Sequence, residues 1–175
     1  MNEQPRILLV TGDGKGKTTS ALGMALRAAG HGMRALVLQF IKADAATGEI
    51  AAIQSIENID IEQTGCGFVP PAEDPRFDRH RRAAQRGLAR ARQAVLSGEY
   101  RLIVLDEICL AVSRELIAEK HVLELLGQLP DGLRIVLTGR YATPGLIEAA
   151  DTVSEIRSVK HALESGRPAQ KGVER

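Results

Sequence analysis

Residues 7–19, Ile7-Leu8-Leu9-Val10-Thr11-Gly12-Asp13-Gly14-Lys15-Gly16-Lys17-Thr18-Thr19, constrain this chain more than any other stretch. Four apolar residues in a row read as a buried strand. A glycine-rich turn follows, and Lys17-Thr18-Thr19 opens a helix through Ala21, Leu22, Met24, Ala25 and Leu26. Strand, glycine loop and helix in that order is the setting of a phosphate-binding loop. Glycines let backbone N–H groups turn toward an anion without Cβ obstruction, and the helix N-terminus adds partial positive charge. Lys17 is placed to neutralise phosphate oxygens and the Thr18 hydroxyl to ligate Mg²⁺. The usual pattern has four residues between its first glycine and the Gly-Lys pair. Here Gly12 and Gly16 enclose three, so the loop is one residue short. Asp13 is also out of place, because a carboxylate beside phosphates repels them unless it faces away or meets a cation. A plain glycine turn is the bland alternative, and the agreement of strand, loop and helix weighs against it.

The rest of the chain alternates apolar runs with helical segments. Strands are expected at Arg6–Val10, Ala35–Phe40, Ile59–Gln63, Leu102–Leu105, Ile135–Leu137 and Thr152–Ile156. Helices are expected after the loop to Ala29, over Glu49–Ile56, Asp78–Leu96 and Leu110–Leu126, and over Pro144–Ala150. Residues 64–75 form a glycine- and proline-rich loop. Met1–Pro5 reads as a loose lead and Val159–Arg175 as a polar tail. Most strands are continuous apolar runs, which implies a parallel sheet covered on both faces. At 175 residues the expectation is an α/β, single-domain P-loop NTPase (RecA-like) fold, with a mostly parallel sheet and helices on both faces.

Three strands end in polar groups: Val10 into Thr11-Gly12, Leu105 into Asp106-Glu107, and Leu137 into Thr138-Gly139-Arg140. In an open α/β sheet the carboxyl ends of the strands form the ligand crevice. Lys17, Thr18, Asp106, Glu107 and Arg140 are therefore expected on one face. Leu-Ile-Val-Leu-Asp-Glu is the expected partner of a phosphate loop, a buried strand delivering a carboxylate toward Mg²⁺. Spacing does not rank Asp106 against Glu107, and capping the next helix is the competing role for Asp106. Arg140 suits a phosphate clamp, with a surface ion pair as the alternative.

Net charge is +1, which gives no global electrostatic case for nucleic acid. The arginines between Arg76 and Arg92 concentrate on one helix, where Arg79, Arg82, Arg86 and Arg90 share a face. A solvated face is the expected reading, and no stacking aromatics are interleaved. Cys66 and Cys109 have no metal or redox spacing, and His31, His80, His121 and His161 have no zinc spacing. No signal peptide or transmembrane run is visible, so a cytoplasmic setting is expected, with no membrane partner. No Ser/His/Asp or Cys/His set stands in recognisable context, so the attacking atom is expected to belong to a second substrate.

The sequence resembles the ATP:corrinoid adenosyltransferases, also called cob(I)yrinic acid a,c-diamide adenosyltransferases. The resemblance rests on an ordered set running through nearly the whole chain. It comprises Thr11–Thr19, Arg27-Ala28 to Gly30-His31-Gly32, Gln39-Phe40-Ile41-Lys42 with Gly48-Glu49, and Gly67-Phe68. It continues through Leu105-Asp106-Glu107, Thr138-Gly139-Arg140, Ala150–Glu155, Val159-Lys160-His161-Ala162 and Ala169–Glu174. The shortened loop is this family's own version.

The resemblance implies transfer of the 5′-deoxyadenosyl group of ATP to the cobalt of a corrinoid, with triphosphate released. Co(I) would attack C5′ of the ribose, and the nucleotide would lie reversed in the loop. ATP would be held by Gly12, Asp13, Gly14, Lys15, Gly16, Lys17, Thr18, Thr19 and Arg140. Lys15, Lys17 and Glu107 would be the catalytic set. Thr18 and Glu107, with Asp106 beside them, would be the Mg²⁺ ligands. An electron-donating reductase and a homodimer are implied as well. Two departures stand out. Family members often carry a longer polar N-terminal arm, commonly covering the partner's active site, whereas five residues precede the first strand here. The family's Gly-Phe-Thr-Trp is Gly67-Phe68-Val69-Pro70 in this chain. Phe68 is then the remaining aromatic for the lower corrin face, with either a preference for corrinoids lacking a bulky base or compensation from Phe77. An ordinary P-loop NTPase or kinase acting at the γ-phosphate, and a non-catalytic nucleotide- or corrinoid-binding module, are the other classes.

Overall fold

The computed structural model describes residues 3–162 and 166–173. Its six strands are β1 (Arg6–Thr11), β2 (Ala35–Gln39), β3 (Ile59–Gln63), β4 (Leu102–Asp106), β5 (Arg134–Thr138) and β6 (Thr152–Glu155). Its helices are α1 (Lys17–Gly30), α2 (Gly48–Gln54), α3 (Phe77–Ser97), α4 (Ile108–Ser113), α5 (Glu119–Leu126) and α6 (Pro144–Ala149). The strands form one sheet in the order β3-β2-β4-β5-β1-β6, and every pairing is parallel.

Parallel strands need crossover segments, and the crossovers here put helices on both faces. Alternation along each strand divides the core between them. Leu9, Leu36, Leu38, Ile103, Leu105, Ile135 and Leu137 point to the face covered by α3, α4, α5 and α6. Val10, Ala35, Val37, Val104 and Val136 point to the other face, under Ala21, Ala25 and Ala28 of α1. One side is therefore thick and leucine-rich. The other is thin, with a small-residue helix face lying close on β-branched side chains.

β4, β5 and β1 are consecutive in the sheet. The three polar strand ends noted in the sequence are thus neighbours.

Two expectations change. The single helix expected over Leu110–Leu126 is two, α4 and α5. Glu115 takes φ 55°, and the Leu116 N–H turns back to the Ala111 carbonyl at 3.0 Å. The break drops Leu116 and Ile117 into the core at 1% and 2% exposure. A gain of buried apolar area outweighs the few helical hydrogen bonds given up. The expected loose lead is anchored at Glu3, whose carbonyl accepts the Gly132 N–H at 2.6 Å and whose carboxylate pairs with Arg134. Met1 and Asn2 lie outside the described residues.

Candidate active site

The carboxyl ends of β1, β4 and β5 open into a cleft of about 820 Å³. Lys15, Lys17, Thr18, Glu107 and Arg140 all line it. The first helical bond of α1 runs from the Ser20 N–H to the Gly16 carbonyl at 2.8 Å. The N–H groups of Lys17, Thr18 and Thr19 therefore have no partner within the helix, which is the anion-binding condition of a helix start. Lys17 is 7% exposed, and its ammonium donates to the Gly14 carbonyl at 2.7 Å. Burial lowers its pKa, against the attraction of Glu107.

Asp106 and Glu107 are adjacent in sequence but differ in environment. Asp106 ends β4 with its side chain fully buried. Its Oδ1 accepts from the Thr18 and Thr138 hydroxyls, each at 2.8 Å. Its Oδ2 accepts from Gln39 Nε2 at 3.2 Å and faces the Lys42 ammonium at 3.5 Å. Asp106 caps no helix: the residue before α4 is Glu107, and no side chain caps that end. Glu107 sits in the left-handed region at φ 63°, a conformation that costs a non-glycine residue and that surrounding contacts must hold. Its N–H is held by the Thr138 hydroxyl at 3.0 Å. Among the described residues its Oε2 is the buried side-chain polar atom without a hydrogen-bond partner. Burial, and then the Asp106 charge, push its pKa up.

Asp13 lies on the cleft wall with its carboxylate engaged by the backbone of the segment after β6. Its carboxylate accepts the Ser158 N–H at 3.1 Å, and that bond holds its pKa below the usual carboxylate range. Arg140 donates to the Asp13 carbonyl at 3.3 Å, so it touches the loop directly. Gly12 and Gly14 have a second reason to be glycine. A Cβ on Gly12 would overlap the Ile156 carbonyl, and one on Gly14 would lie 2.7 Å from the Arg157 backbone.

Several residues on the cleft had no assigned role in the sequence. Lys42 pairs with Glu49 at 3.2 Å, and both face the cleft. His161, Gly172 and Val173 bring the polar tail back to its wall. Thr138 holds both carboxylate residues in place. The signal for Lys42, Glu49 and His161 lay in the Gln39–Lys42, Gly48-Glu49 and Val159–Ala162 segments. Nothing in their spacing assigned a chemistry. Phe68 is 92% exposed and stands off the cleft wall. Phe77 is 3% exposed and packs in the core, so compensation from Phe77 is ruled out by its burial. On α3, Arg90 makes a bidentate bond to Glu62 and Arg92 pairs with Glu124, while Arg79, Arg82 and Arg86 are exposed.

The description "ATP:corrinoid adenosyltransferase BtuR/CobO/CobP" belongs to a family whose model matches residues 3–175. The chain belongs to the ATP:corrinoid adenosyltransferase family. It is 41% identical over 174 residues to the corrinoid adenosyltransferase of Pseudomonas aeruginosa, covering 99% of this chain and 85% of that one. It is 32% identical over 173 residues to that of Escherichia coli, covering 99% and 87%. Against the corrinoid adenosyltransferase CobA of Salmonella typhimurium the identity is 33% over 174 residues, covering 98% and 86%. Among solved structures, a KaiC-like protein of Pyrococcus horikoshii superposes with TM-score 0.54 at 19% identity, covering 91% of this chain and 74% of that one. At that identity the likeness establishes the P-loop NTPase fold alone.

For this adenosyltransferase, the donor set suits a hard divalent cation. Thr18 and Asp106 present oxygen atoms, and Glu107 has an orphaned carboxylate oxygen beside them. Among the described residues no group of three or more His, Cys, Asp or Glu is placed to hold a metal ion by itself. Two carboxylates and a hydroxyl, completed by phosphate and water, is the manner in which Mg²⁺ is usually bound. Among the described residues no helix is long and apolar enough to cross a membrane.

Proposed function

We propose that this chain transfers the 5′-deoxyadenosyl group of ATP to Co(I) of a corrinoid and releases triphosphate. In that reaction a Co–C5′ bond forms as the bond between C5′ and the triphosphate oxygen breaks. The electron pair comes from cobalt and the leaving oxygen departs with the negative charge. The observation that carries the reading is the convergence of Lys17, Thr18, Glu107 and Arg140 on one open cleft in a chain of this family.

The chain's task is to bind the triphosphate tightly as its charge grows. The free N–H groups of Lys17–Thr19 and the Lys17 ammonium supply fixed positive potential, with Lys15 and Arg140 at the rim. The buried Lys17 acts in a lower dielectric than a surface lysine, which strengthens each contact. Mg²⁺, held by Thr18, Glu107 and Asp106, would neutralise phosphate charge and so ease departure of the leaving group. Thr138 keeps Asp106 and Glu107 oriented for that role. The open side of the cleft leaves room for the corrin, and the exposed Phe68 is the aromatic available to meet its lower face. A reductase supplies the Co(I) state, the assembly is a homodimer, and the setting is cytoplasmic. These parts rest on the family.

The test mixes the protein with MgATP and chemically reduced cob(I)alamin or cobyrinic acid a,c-diamide, anaerobically and in the dark. A light-sensitive adenosyl-corrinoid with one triphosphate per turnover supports the reading. Steady ADP release without a change in corrin absorbance would move the assignment to a γ-phosphate NTPase. ATP binding without either product would indicate a binding module.

A further inference from the structure

The end of β6 continues beyond the strand and runs under the phosphate loop. In the ladder Thr11 is level with Glu155. The Ile156 N–H donates to the Thr11 carbonyl at 2.9 Å, and the Gly14 N–H donates to the Ile156 carbonyl at 2.8 Å. Gly12 and Gly14 lie against Ile156 and Arg157 with no room for a Cβ. The Ile156 side chain is part-buried against the core under α1. The next link is a side chain: Asp13 Oδ1 accepts the Ser158 N–H at 3.1 Å. Residues 156–158 thus form a strap tied to the loop at three points, and three residues further on the chain reaches the cleft wall at His161.

We propose that Asp13 is a positioning residue, a latch by which the Ile156–Ser158 strap holds the shortened phosphate loop in the shape that binds nucleotide. A loop with one residue fewer has fewer internal bonds to fix its path. Here it also commits the Gly14 N–H to the strap instead of to an anion. External bonds to residues 156–158 replace the missing internal ones. The arrangement gives Asp13 a reason to be present beside a phosphate site: its charge is engaged by the Ser158 N–H and its carbonyl by Arg140. Its carboxylate does not need to meet a phosphate or a cation. The inference rests on the reading of this loop as the ATP site. It does not depend on the transfer reaction, because its test reads ATP binding alone.

The experiment compares Asp13→Ala, Asp13→Asn and Ser158→Pro by calorimetric titration with MgATP in the absence of corrinoid. Ser158→Pro deletes the donor N–H and alters no side chain on the cleft. The expected result is that Asp13→Ala and Ser158→Pro each weaken ATP about tenfold. The double variant should be no worse than either, as partners of one bond are non-additive. Asp13→Asn, whose carboxamide oxygen can accept the same N–H, should restore most of the affinity lost in Asp13→Ala. Two results would overturn the latch. One is wild-type affinity in Ser158→Pro with a loss in Asp13→Ala, which would make Asp13 a direct nucleotide contact. The other is a lowered melting temperature with unchanged ATP affinity in both, which would make the bond merely structural. If Ser158→Pro does not fold, hydrogen exchange at the Ser158 amide decides. Protection should be lost in Asp13→Ala and kept in Asp13→Asn, in step with affinity. Protection that does not follow affinity across those two variants excludes the latch.

Discussion

Two adjacent carboxylates at the end of β4 are given different environments by their neighbours. Asp106 has protein partners on both oxygens, accepting from Thr18, Thr138 and Gln39 with Lys42 beside it. Glu107 keeps a buried oxygen without a partner. A native protein tolerates such an atom where function uses it. The cost can be read out. Burial and Asp106 raise the Glu107 pKa in the folded state above its ordinary value. The folded state therefore binds the proton more strongly than the unfolded state, and stability falls as pH rises from the unfolded value through the folded one. Glu107→Gln removes that dependence. The expected outcome is a ligand-free protein more stable by about 1 kcal/mol at neutral pH, with adenosyl transfer lost, checked by urea melts and the corrin assay. Thr138→Val should do the reverse. It removes one of the two donors to Asp106 Oδ1 and strands the Glu107 N–H, and is expected to cost about 1–3 kcal/mol in the same melts.

Among the elements, α3 carries arginines in two settings, Arg90 and Arg92 in ion pairs and Arg79, Arg82 and Arg86 exposed. The arginine-rich stretch is a solvated outer face whose flanks are anchored by ion pairs, Arg90 to Glu62 and Arg92 to Glu124. The helix starts at an Asp74 turn. Asp74 Oδ1 accepts the Arg76 N–H at 2.8 Å, and its carbonyl accepts the Phe77 N–H at 2.8 Å. The Arg76 guanidinium beside it holds the Asp74 pKa down at about 2, from 3.8. A depressed carboxylate contributes stability above the unfolded pKa and loses it as pH falls through the folded one. Asp74→Asn should therefore melt lower than wild type at neutral pH, with the gap closing between pH values of about 3.8 and 2. A gap that persists at the acid end would assign the effect to the turn geometry instead of the charge. The α4–α5 break is a different case. Residues 110–126 have continuous helical character, and no proline or glycine interrupts them. What splits them is the need to bury Leu116 and Ile117, which local propensity does not register.

For the whole molecule, the unequal faces of the sheet matter to the site. α1 carries the loop at its N-terminus and lies on the sheet through Ala21, Ala25 and Ala28, all buried. The helix is held close because its face is small, so its height over the sheet also sets where the loop stands. Ala25→Leu adds volume at a position with 0% exposure. Overpacking of this kind costs about 1–3 kcal/mol. The expected outcome is a lower melting point together with weaker MgATP binding, measured by thermal denaturation and calorimetry. A stability loss with unchanged ATP affinity would mean that the loop is located by its other anchors.

Sequence alone was enough for the strand–loop–helix at residues 7–19, the parallel α/β class, the polar ends of three strands and the family. Each of these is local in the chain: an apolar run, a glycine spacing, a segment in a fixed order. Only tertiary structure separated Asp106 from Glu107, because their difference lies in hydroxyls delivered from α1 and β5, far away in sequence. It also turned Asp13 toward Ser158, removed Phe77 from consideration by burying it, and brought His161 and Val173 back to the cleft. Those outcomes are decided by which strand lies beside which. Strand order follows from how the crossovers pack on the two sheet faces, a property of the assembled core that no single segment encodes.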